Sequence, residues 1–87
     1  MKLPEDCTVL ELKGKYLLSF PDTTGVMRSF EINESFAYLV HTFTGEVFTL
    51  TDLADALQDH FGIDPIRATA DAGAAIRSWR RIRLIQD

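Results

Sequence analysis

The sequence has a single cysteine, Cys7, among 87 residues. One thiol excludes an internal disulfide and fits a reducing compartment. Lying near a terminus, Cys7 is read as a small hydrophobe in preference to a reactive or dimer-forming thiol. No run of 18 apolar residues occurs, so a membrane-spanning helix is excluded. The opening MKLPEDCTVLEL carries no apolar secretion core and becomes acidic at once. The expected location is therefore the cytoplasm. Repeats, low-complexity tracts and linkers are also missing, so residues 1–87 are expected to form one domain.

Catalytic signatures are equally scarce. His41 and His60 fall on different predicted helices, with no cysteine or carboxylate at metal-ligand spacing. There is no nucleophile elbow, P-loop or dinucleotide fingerprint. Ser19, Ser29, Ser35 and Ser78 have no base beside them in sequence. The expectation is a binding module, not an enzyme, with no metal and no cofactor.

The composition present is that of an ordinary globular chain, 46% hydrophobic and 25% charged. A core of this size supports a stability of only several kcal/mol, about what small domains show. The net charge of −4 is unevenly spread. Residues 1–64 hold four basic against eleven acidic residues, a net −7, and residues 65–87 hold five arginines against two aspartates, a net +3. A basic end of this kind suits either an acidic partner or pairing with the protein's own acidic half.

Turn and cap chemistry divides the chain. TVLEL (8–12) and KYLLSF (15–20) read as a hairpin about Lys13-Gly14, because glycine adopts positive φ at little cost. PDTTG (21–25) is a turn, and VMRSFEI (26–32) a third strand. Its alternation puts Arg28, Phe30 and Ile32 on one face and Met27, Ser29 and Glu31 on the other. Asn33 sits at a helix N-cap, followed by Phe36, Leu39, Val40 and Phe43 on one helical face. After Thr44-Gly45, EVFTL reads as a short extended piece and Thr51 as the cap of a second helix bearing Leu53, Ala54, Leu57 and Phe61, ended by Gly62. Asp64-Pro65 starts a third helix running to about Arg81, with Ala68, Ala72, Ala75, Ile76 and Trp79 on one side. Leu84 and Ile85 return to the core. The order is βββααα, an α+β arrangement of a three-stranded antiparallel sheet and three helices, as in winged helix-turn-helix domains.

One stretch stands out. VMRSFEINESFAYLVHTF (26–43) passes from strand to helix almost without a loop, and its strand half is polar in the manner of an exposed strand. No proline falls within Met27–Ile32, so its backbone donors are intact for an added strand.

The order and spacing of several segments resemble the PqqD-like proteins, the small domains called RiPP recognition elements. The similarity runs from about Gly25 to Ile85. It is carried by Phe30-Glu31-Ile32-Asn33-Glu34, by Phe48 to Leu57, by Phe61-Gly62-Ile63-Asp64, by Ala68 and Asp71, and by Trp79 and Leu84-Ile85. Two departures are Arg83, where the family often has glycine, and an alanine-rich third helix.

The resemblance implies a peptide-binding adaptor that captures the leader segment of a ribosomally made precursor peptide as a strand added to the third strand. The adaptor then presents the leader to a modifying enzyme, often of the radical SAM type. It implies contacts from Met27, Arg28, Ser29, Phe30, Glu31 and Ile32, and from the third helix. On that helix, Thr69, Gly73, Ile76, Arg77 and Arg80 share a face beside the core stripe. Gly73 weakens a helix interior by about 1 kcal/mol relative to alanine, which suits either a thin wall against a peptide or a mere surface position. Phe30 and Trp79 are read as core in preference to displayed residues. A monomer or weak dimer is expected. Two other classes stay open at this point: a structural subunit of a maturation enzyme, and a winged-helix DNA reader using Arg67, Arg77, Arg80 and Arg81. The net −4 charge and the acidic second helix (Asp52, Asp55, Asp59) oppose nucleic acid, and no membrane contact is expected.

Overall fold

The computed structural model describes residues 1–85 and has three strands followed by three helices: β1 (Thr8–Leu12), β2 (Lys15–Pro21), β3 (Met27–Ile32), α1 (Glu34–Phe43), α2 (Leu50–Phe61) and α3 (Pro65–Arg81). The sheet is antiparallel in the order β1-β2-β3. Its register pairs Leu12 with Lys15 and Thr8 with Ser19 on one side of β2, and Tyr16 with Ile32 and Pro21 with Met27 on the other. Lys13 and Gly14 both have positive φ, 53° and 79°, as the two-residue turn matching a right-handed strand twist requires. Pro21 closes β2 instead of opening the turn. The Asp22 carboxylate organises the turn by accepting from Thr24 N (2.8 Å), Thr24 Oγ1 (2.6 Å) and Val26 N (3.1 Å). These bonds hold its carboxyl below the usual aspartate range.

Helix starts follow cap chemistry. Asn33 caps α1 through Phe36 N, and Asp64 caps α3 through Arg67 N, each as its sequence position indicates. The cap of α2 is Thr49, not Thr51. Thr49 accepts from Asp52 N while the Asp52 carboxylate accepts from Thr49 N, a reciprocal capping box that starts the helix at Leu50. The box consumes part of the expected EVFTL strand. What remains extended is an isolated bridge of Val47 to Lys2.

All three helices contribute to a core on one face of the sheet. Leu18 and Phe20 from β2 meet Leu39 and Val40 from α1, Leu53 and Leu57 from α2, and Ala68, Ala72, Ala75 and Trp79 from α3. The alanines are wholly buried, so the alanine-rich stripe is where α3 sits close to its neighbours. Trp79 is 1% exposed and meets Phe36 and Phe48 edge-on, at 6.3 and 6.0 Å. Cys7 is buried, its Sγ donating to Pro4 O at 3.1 Å, and burial pushes its thiol above the ordinary value. Among the described residues no helix is long and apolar enough to cross a membrane.

The end of α3 shows what position 83 must do. Leu84 N donates to Trp79 O (2.8 Å) and Arg83 N to Arg80 O (3.1 Å). These two bonds form a Schellman motif, which reverses the chain and returns Leu84 and Ile85 to the core. The motif needs a left-handed residue after the cap, and Arg83 occupies that position with φ 61°. Glycine takes this conformation freely, whereas an L-residue there costs about 1–2 kcal/mol. Arg83→Gly is therefore expected to raise stability by up to about 1 kcal/mol, after the greater freedom of glycine in the unfolded chain is offset. Arg83→Val is expected to lower it, because a β-branched residue fits that region worst. Urea unfolding midpoints of the two variants check both signs.

Candidate functional site

The third strand is an edge, and hydrogen-bond alternation decides what that edge offers. Asp22 N donates to Val26 O at 2.9 Å, which fixes the phase of the β2–β3 ladder. In an antiparallel pair, bonded and non-bonded positions alternate. The bonded residues of β3 are therefore Arg28, Phe30 and Ile32, opposite Phe20, Leu18 and Tyr16. Pro21, which has no N–H, falls opposite Met27 at a non-bonded position, as this phase demands. Ser19 and Ser29 face each other at another, their hydroxyls 2.9 Å apart. The N–H and C=O groups of Met27, Ser29 and Glu31 consequently point away from β2, and no described backbone group pairs with them.

The side chains sort with the same alternation. Met27, Ser29 and Glu31 lie on the uncovered face. Met27 is 59% exposed, and Glu31 pairs with Lys15 at 3.9 Å, an exposed contact of little energetic weight. Phe30 and Ile32 face the helices and are half-buried. Phe30 stacks on Phe20 with centroids 5.8 Å apart, and the exposed Arg28 guanidinium lies 5.5 Å from the Phe30 ring. Phe30 thus belongs partly to the core and partly to the edge.

Beside this edge runs a groove of about 290 Å³ between β3 and the ends of α1 and α3. Phe30, Ile32, Phe36, Trp79 and Ile82 supply apolar walls, and Ser78 and Arg81 add polar groups from α3. The Trp79 indole N–H is buried without an acceptor among the described residues. An unsatisfied buried donor costs about 1–3 kcal/mol.

The α3 residues expected to face a peptide are not those that wall the groove. Thr69, Gly73, Ile76, Arg77 and Arg80 occupy the opposite flank of the stripe formed by Ala68, Ala72, Ala75 and Trp79. Ile76 is buried, Thr69 Oγ1 donates back to Pro65 O at 2.9 Å, and the Arg80 guanidinium reaches Met1 Sδ at 3.9 Å. Periodicity marked a face next to the core stripe, but a helix has two such flanks, and packing brings the other one to β3. A Cβ on Gly73 would meet only Arg77 Nη1, at 3.3 Å, so no backbone of this chain needs the space. On the flank that walls the groove, Ser78 and Arg81 are spaced one turn apart and carry no sequence signal of their own.

Among the described residues no group of three or more His, Cys, Asp or Glu is placed to hold a metal ion. Comparisons with family models, curated proteins and solved structures find no match to this chain.

Two expectations follow from the edge. Ser29→Pro removes an outward N–H and no ladder bond, so it is expected to cost about 1 kcal/mol or less, whereas Phe30→Pro breaks a bond to β2 and is expected to cost several times as much. Equal losses in thermal unfolding would show that the ladder phase is wrong. Gly73→Ala is expected to stabilise the domain by about 0.5–1 kcal/mol, since only the tip of a flexible arginine must move. Its unfolding midpoint should rise.

Proposed function

We propose that this protein is a non-catalytic adaptor that captures an extended peptide as a fourth strand on β3. The observation that carries the reading is the conjunction of outward N–H and C=O groups at Met27, Ser29 and Glu31 with an apolar groove on the same edge. Alternate side chains of an added strand project to the helix-covered face. There they would lie beside Phe30 and Ile32 and enter the groove floored by Phe36 and Trp79. Arg81 at the groove favours a peptide with acidic character near that point.

The class of peptide comes from the resemblance to PqqD-like proteins. It is the leader segment of a ribosomally made precursor, held for a modifying enzyme such as a radical SAM protein, in the cytoplasm. The adaptor itself needs no cofactor in this role.

The test is an NMR titration of the isotope-labelled domain with leader-like peptides encoded beside its gene. The expected result is saturable shifts at Met27, Ser29 and Glu31 and at the Trp79 indole, with Arg77 and Arg80 little affected. Ser29→Pro should abolish them while the rest of the spectrum stays dispersed. Binding that survives Ser29→Pro would remove the edge from the mechanism. Silence with every such peptide, alongside retained binding to a neighbouring enzyme, would make the chain a scaffold.

A further inference from the structure

The sheet has a second open edge, and its surroundings differ chemically from those of β3. The Lys13-Gly14 turn closes on the Leu12–Lys15 pair, so the bonds between β1 and β2 fall at Leu12, Leu10 and Thr8. The N–H and C=O groups of Val9 and Glu11 therefore point outward, and no described backbone group pairs with them.

Beside Val9 and Glu11, on the helix-covered face, lies an open pocket of about 310 Å³. Its walls are largely aromatic. Tyr38 and His60 stack with centroids 3.9 Å apart, Phe61 meets both edge-on, and Tyr16 comes from β2. Glu11 and Glu34 line the same pocket, and neither has an ion-pair partner among the described residues, His41 and His60 included. Their charge is felt inside it: the Tyr16 phenol is pushed above its ordinary value, first by reduced hydration and then by these two carboxylates.

Two carboxylates alone are an acidic surface in water. The aromatic walls change what the pocket selects, because a ring face attracts a cation within about 6 Å of its centroid. Ring faces and carboxylates here favour the same charge. We infer that the β1 edge and this pocket receive a basic extended segment of a partner protein, with one lysine or arginine side chain seated against Tyr16, Tyr38 and Phe61 and its charge held by Glu11 and Glu34. The backbone favours a segment over a free amine. Val9 and Glu11 present donors and acceptors to an added strand, whose alternate side chains would project to the face where the pocket opens. The β3 edge, with Arg28 and Arg81 nearby, does not suit the same segment. This inference stands whether or not β3 binds a peptide.

The test uses three probes on the isotope-labelled protein: a short blocked peptide of alternating valine and arginine, its citrulline counterpart, and arginine amide. The expected result is saturable amide shifts at Val9, Glu11, Tyr16 and Tyr38 with the arginine peptide, and about tenfold or more weaker binding of the citrulline peptide. The Glu11→Gln/Glu34→Gln double variant leaves the aromatic walls in place and is expected to lose affinity for the arginine peptide by a similar factor. Equal affinity for the citrulline peptide would overturn the inference. So would arginine amide binding as tightly as the peptide, which would mean a small-cation site. Shifts gathered on Met27–Ile32, or no saturable shifts at all with the arginine peptide, would overturn it as well.

Discussion

The central strand β2 spends its hydrogen-bonding groups on both sides, and the two strands beside it do not. In a three-stranded sheet this leaves two unpaired edges on five- and six-residue strands. The helices cannot close those edges, because all three contribute to the single core on one face. The opposite face stays bare, with Leu10, Leu12 and Met27 each more than half exposed. Open edges invite unwanted pairing, and proteins usually blunt them. Here the blunting is modest, a Lys15–Glu31 pair beside one edge and an unpaired Glu11 on the other. Edges this lightly guarded, each beside its own groove, are what the proposed capture of added strands requires.

Much of the fold was legible in the sequence because its punctuation is local. Asn33, Asp64-Pro65, Gly62 and Lys13-Gly14 act within a few residues of themselves, and each does in the structure what its chemistry indicates. The Thr49–Asp52 box was equally local. Thr49 has a carboxylate three residues on and Thr51 has Ala54, so the correct cap of α2 was present as a spacing. The site was legible only in part. Strand alternation separated the two faces of β3, but which flank of α3 meets that strand depends on how helices pack on a sheet. No periodicity encodes that choice. The meeting of His41 with His60 around one pocket is likewise a product of tertiary folding, since the two lie on different helices far apart in sequence.

Charge distinguishes the two edges where geometry does not. The β1 edge carries Glu11 and faces Glu34, neither with an ion-pair partner among the described residues, whereas the β3 groove carries Arg81 and a Glu31 that Lys15 pairs, and has Arg28 nearby. Of these cations Arg81 comes from the basic end of the chain and Arg28 from its acidic part, so the contrast between the edges is made by folding and not by the order of charges in the sequence. Backbone pairing is indifferent to sequence, so a bare edge accepts any strand of suitable length. If both edges take up strands as proposed, unlike charges at the two grooves would turn that indifference into a choice of partner, by penalising the wrong approach more than by strengthening the right one.

Energetics set how much the grooves must do. Six outward groups at Met27, Ser29 and Glu31 support at most six new hydrogen bonds, each worth about 1 kcal/mol net. Association alone consumes about 4 kcal/mol or more before any ordering of the peptide. Pairing by itself would therefore leave about 2 kcal/mol, weaker than millimolar. Two apolar side chains buried against Phe36, Trp79 and Ile82 would add about 1.5–3 kcal/mol each, enough to bring binding from weaker than millimolar to about a hundred micromolar or tighter. In the proposed reading, affinity on β3 would thus come from the groove, and the edge would supply register. A leader that kept its backbone but lost those two side chains would still fit the strand geometrically and would fail to bind. Recognition at this edge should accordingly follow the spacing of apolar residues at alternate positions more closely than any particular sequence between them.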